Sequence, residues 1–69
     1  MAMATLREIR DRAFLSQQEL ADEATVSKRT IERLEAGMHR PRGRTVRKLA
    51  RALRVDPAEI EFPPRRRLR

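Results

Sequence analysis

Ser27, Lys28, Arg29 and Arg33 are the residues whose types and spacing point most directly to chemistry. Ser27 is an N-cap type at the head of a short helical pattern, and Lys28 and Arg29 open that pattern. Arg33 falls one turn after Arg29 on the same face, opposite the apolar Ile31 and Leu34. A guanidinium forks onto phosphate and onto the O6/N7 edge of guanine, which an ammonium does not match in geometry. These side chains meet base edges if the helix enters a DNA groove by its N-terminal end.

The rest of the inventory argues against catalysis. Cysteine is absent, His39 is the single histidine, and only three Asp occur, which leaves no thiolate, no nucleophile–base pair and no metal-ligating cluster. No catalytic residue, metal or cofactor is therefore expected, nor is a small-molecule ligand evident. The N-terminus MAMATLREIR lacks an apolar signal core, and no run of 18 apolar residues exists. A cytoplasmic protein with no membrane association is the expectation.

The 69 residues, with net charge +7, make one small domain with a modest core. The charge is unevenly placed. Residues 27–54 hold ten basic and two acidic side chains, net +8, whereas residues 1–26 hold three basic and five acidic, net −2. A basic segment inside a folded pattern is the footprint of a polyanion partner. The competing explanation is a coding bias toward Arg, which supplies 15 of the 17 cations on a merely solvated surface.

The elements that must position these residues follow from capping chemistry. Thr5 with Glu8, Ser16 with Glu19 and Asp56 with Glu59 have capping-box spacing. Leu15 and Leu20 bracket Ser16 as a hydrophobic staple, as do Val26 and Ile31 around Ser27, and Val55 and Ile60 around Asp56. Apolar spacing then predicts helices near 5–13, 17–24, 28–36 and 44–53, and a short fifth from Pro57 to about Glu61. Gly37 reads as a helix stop, MHRPRGR as a loop, and no strand pattern of useful length is present. FPPRRRLR cannot continue a helix through Pro63 and Pro64, so residues 63–69 are expected to form a disordered basic arm on a domain spanning 1–62.

Thr25, Val26 and Ser27 join the second and third helices, too few residues for side-by-side antiparallel packing. Such a joint forces a wide crossing, the helix-turn-helix geometry, with Ala21 at the close approach and Leu20, Val26, Ile31 and Leu34 beneath it. With LREIRDR, LSQQELADEATVSKRTIERLEAG and TVRKLARALRVDPAEI in this order, the chain resembles the lambda-repressor-like, Xre/Cro-type DNA-binding domains from about Leu6 to Glu61.

That resemblance implies an all-α, five-helix bundle whose third helix lies in the major groove, used as two copies on a palindromic operator. It implies base contacts from Ser27, Lys28, Arg29 and Arg33, and phosphate or minor-groove contacts from Gln17, Gln18, Arg40, Arg42 and Arg44. It also places Arg10 and Glu35 where similar domains hold a buried ion pair. Family members usually carry Gly at the positions of Phe14, Thr25 and Arg54, and only Gly37 is retained. A non-Gly residue held in a left-handed conformation costs about 1–2 kcal/mol.

The leading expectation is a sequence-specific regulator of transcription, a repressor, binding double-stranded DNA. With no heptad extension, it is expected to be a weak homodimer or a monomer that dimerises on DNA, through a small surface around Val55, Pro57, Ile60 and Phe62. The alternative is an antitoxin-type protein-interaction module that autoregulates its promoter. Binding to RNA or to an anionic membrane is disfavoured by the lack of stacking aromatics and of bulky interfacial residues on the basic fourth helix.

Overall fold

Each helix begins at a side chain that can accept from its first-turn amides, with one exception, and that exception lies beside the basic loop. The computed structural model describes residues 4–38 and 40–62, in the order β1 (Ala4–Thr5), α1 (Leu6–Arg12), α2 (Gln17–Ala24), α3 (Lys28–Glu35), α4 (Gly43–Leu53), a 3₁₀ turn (Pro57–Glu59) and β2 (Ile60–Glu61). His39 and the arm 63–69 lie outside the described residues.

All three capping boxes form, at Thr5–Glu8, Ser16–Glu19 and Asp56–Glu59. Ser27 caps α3, its Oγ accepting from the Thr30 amide at 3.1 Å. α4 is the exception. Its N-cap is Arg42, which offers no side-chain acceptor, and its first turn holds no acid.

The helix ends are equally regular. Leu15, Val26, Met38 and Val55 each donate a backbone N–H to the carbonyl five residues back, on Arg10, Ala21, Arg33 and Ala50, at 2.9–3.2 Å. Each closure needs a left-handed residue just before it. Gly37 supplies one at φ 72°, but Phe14, Thr25 and Arg54 supply the others at φ 59°, 59° and 58°. The three positions therefore keep the turn that glycine would make and bear the strain of a Cβ.

Around the chain, the motif of left-handed residue, apolar residue, cap recurs as Phe14-Leu15-Ser16, Thr25-Val26-Ser27 and Arg54-Val55-Asp56. In each, the apolar residue packs against the core. That core centres on Leu6, Leu20, Ile31, Leu34 and Leu49, all fully buried, with Ala21 fully enclosed at the α2–α3 crossing. α2 packs against both α3 and α4.

One expectation requires correction. There are four α-helices among the described residues and not five, because the last element is one 3₁₀ turn. The Asp56 box closes over Pro57–Glu59, and then Ile60 turns extended at φ −91°, ψ 119°, which brings its side chain into the core. The fold also holds strands. Ala4 and Thr5 pair in parallel with Ile60 and Glu61, and two-residue strands are too short to leave an alternating pattern.

Candidate nucleic-acid interface

α3 sorts its side chains as the sequence requires. Ile31 and Leu34 are buried, and Lys28, Arg29, Glu32 and Arg33 are exposed. Ser27 is exposed as well, but its hydroxyl is engaged in capping and lies 2.9 Å from Thr30 Oγ1. Ser27 thus fixes where the helix starts, and Lys28, Arg29 and Arg33 are the side chains left to reach outward.

Arg33 shares a cleft of about 480 Å³ with Arg40, Arg42, Pro41, Thr30 and Thr45. Three guanidinium-bearing residues from α3 and the loop before α4 thus line one concavity, and α4 begins at its edge. The uncapped start of α4 leaves first-turn N–H groups without intrahelical acceptors, a partial positive charge aimed out of the helix. Anions bind such termini. Arg44 is exposed in the same first turn but does not line the cleft. Thr30 and Thr45 contribute hydroxyls here that the sequence reading did not single out. Their only signal was a hydroxyl residue in the first turn of each helix.

Lys28 and Arg29 are exposed on α3 but do not line this cleft. Among the described residues, every ion pair is made by Arg10, so no carboxylate neutralises Lys28, Arg29, Arg33, Arg40, Arg42 or Arg44.

Arg10 stands apart from these. Its Nε donates to Glu35 Oε2 at 2.6 Å and Nη2 to Glu35 Oε1 at 3.0 Å, a bidentate pair between α1 and the end of α3. Nη1 donates to the Leu15 carbonyl at 2.9 Å and approaches Asp11 Oδ1 at 3.5 Å. The side chains of Arg10 and Glu35 are only 11% and 7% exposed. Hydrogen bonding to Glu35 raises the Arg10 pKa above its ordinary value, against the opposing effect of burial. The guanidinium therefore stays charged, and the pair fixes α3 against α1.

Gln17 belongs to this brace. Its Nε2 donates to Glu35 Oε1 at 3.0 Å, so one amide hydrogen is held inside the molecule. Gln18 is exposed and donates to Asp22 Oδ1 at 2.9 Å, one turn along α2.

The four residues expected to pair two copies differ in exposure. Ile60 is only 5% exposed and is paired with Ala4, whereas Val55 and Phe62 are partly buried, packed against the core but still partly exposed. Pro57 is the most exposed of the four.

Among the described residues, no group of His, Cys, Asp and Glu is placed to hold a metal ion, and no helix is long and apolar enough to cross a membrane. Neither a curated protein nor a solved structure matches the chain. The family described as helix-turn-helix domain matches residues 4–62, a span covering β1, all four helices and β2. With the Thr25–Ser27 joint, the buried Ala21 crossing and the exposed basic face of α3, this chain belongs to that family of DNA-binding domains.

Proposed function

We propose that this protein is a sequence-specific regulator of transcription of the lambda-repressor-like, Xre/Cro type, acting as a cytoplasmic repressor and without catalytic activity. α3 enters the major groove of duplex DNA by its N-terminal end. Lys28, Arg29 and Arg33 read base edges, while Arg40, Arg42, Arg44 and the open start of α4 hold phosphates. The observation that carries this reading is the cleft joining Arg33 to Arg40 and Arg42, whose cations have no carboxylate partner among the described residues. Phosphate contacts supply most of the affinity and orient the domain, and base-edge contacts supply discrimination.

Two copies occupy a palindromic operator, with half-sites about 34 Å apart. Val55, Pro57 and Phe62 leave only a small partly exposed apolar surface, so the copies assemble on DNA. Selection of binding sites from a random duplex pool tests the reading. A motif with guanine in each half-site is expected, and Arg29→Ala and Arg33→Ala should each relax it at one position. Equal loss on every sequence, with no motif emerging, overturns the base-reading roles.

A further inference from the structure

Of the positive charge along α4, the proposed reading face uses only Arg44. Arg44, Arg47, Lys48, Arg51 and Arg54 are all exposed. Helical spacing places Arg44, Arg47, Lys48 and Arg51 on one face of α4, opposite Leu49, Ala50 and Leu53 in the core, and Arg54 follows as its left-handed C-cap. Only the start of α4 reaches the cleft of Arg33, through Thr45. Lys48, Arg51 and Arg54 line a different cleft of about 410 Å³, against Glu23, Ala24 and Thr25 at the end of α2.

The composition of the stripe selects its partner. None of its five cations is ion-paired among the described residues, and Glu23, the acid lining the second cleft, makes no ion pair there. No large exposed apolar side chain accompanies them, since Phe14 and Met38 both lie off α4. A protein partner would need such an anchor, because buried aromatic and aliphatic groups dominate those interfaces. Single-stranded nucleic acid would need stacking aromatics, which α4 lacks. A duplex backbone needs only charge, and four of the five cations are Arg, which takes phosphate in a bidentate manner. From Arg44 to Arg54 the stripe runs about 15 Å at 1.5 Å per residue, a length over which a duplex presents about nine phosphate charges.

We propose that α4 is a second phosphate-binding track, gripping duplex DNA other than the segment lying on α3. This rests on the assignment of α3 to the groove only in being called second. The phosphates come either from flanking operator DNA or from another duplex, and the two are separated by experiment.

The affinity of the whole chain is measured against salt for a duplex trimmed to the base pairs it protects and for one extended on both sides. A labelled second duplex is offered to bead-bound complexes in parallel. Arg47→Gln/Lys48→Gln/Arg51→Gln should lower the salt slope by about 2.7, three contacts at about 0.9 each, on the extended duplex if the flank is the source. If another duplex is the source, the same variant should lose capture of the labelled strand pair. Arg47→Lys/Arg51→Lys keeps the charge and should keep the slope, and thermal melting verifies that each variant is folded. An unchanged slope together with unchanged capture overturns the proposal, as does an equal loss on the trimmed duplex. Should the random pool yield no motif while the triple variant still loses slope on arbitrary duplexes, the reading of α3 fails and the α4 track stands.

Discussion

Arg10 and Arg33 are the same side chain put to opposite uses. Arg10 is buried, with three hydrogen bonds to Glu35 and the Leu15 carbonyl. Arg33 is exposed, faces a concavity shared with two further arginines, and has no carboxylate partner among the described residues. Satisfying a guanidinium inside the molecule makes it a fastener. Leaving it unsatisfied beside others of its kind, where their mutual repulsion costs stability, reserves it for an external anion.

The comparison breaks most severely at Arg10. Arg10→Ala leaves Glu35 buried without its partner and should cost about 3–5 kcal/mol in urea unfolding, enough to empty the folded state of a domain this small. Arg10→Met/Glu35→Leu removes both charges and should cost much less than the single change. If the double variant proves as unstable as the single one, the guanidinium is needed for its bond to Leu15 and not mainly for the pair.

The opposite result is expected for α3. Arg29→Ala or Arg33→Ala should leave the free energy of urea unfolding within about 0.5 kcal/mol of the parent. Each should nevertheless lose about 1–3 kcal/mol of affinity for the selected site, read by titration at fixed salt.

A smaller effect concerns the turns. Phe14 is 92% exposed at φ 59°, so replacing it removes strain and almost no packing. Phe14→Gly should stabilise the domain by about 1 kcal/mol, measured as a rise in Tm. Ala at Gly37, with φ 72°, should destabilise by a similar amount.

The smallest is a pH effect at Thr5. Its backbone N–H, and then its hydroxyl, donate to Glu8 and lower the Glu8 pKa from its ordinary value. Between the lowered and the ordinary pKa the unfolded chain binds more protons, so this contribution is present above the ordinary value and is lost as pH falls through the lowered one. Glu8→Gln should lower stability near neutrality and leave it little changed below the lowered pKa, which flattens the acid limb of the profile.

What could be read from the residues alone was what is decided within five positions. The boxes at Thr5, Ser16 and Asp56 and the stapled cap at Ser27 join neighbours in sequence, so their partners are written beside them. The Gln17–Glu35 bond spans 18 residues and the Ala4–Ile60 pairing spans most of the chain, and neither leaves a local mark. The left-handed turns at Phe14, Thr25 and Arg54 run against residue propensity and were signalled only by the Gly that similar domains carry there. The cleft beside Arg33 depends on where α4 starts relative to α3, a tertiary relation that no short window contains.

The Ala4–Ile60 pairing has a topological consequence. Because β1 and β2 lie side by side, the two ends of the helical array are held within one strand spacing, about 4.8 Å. A linker of a few residues from Glu61 back to Ala4 would close the described chain into a ring. A new opening could then be cut in the exposed segment around Arg40, and such a circular permutant should fold with its helix order rotated and its core unchanged.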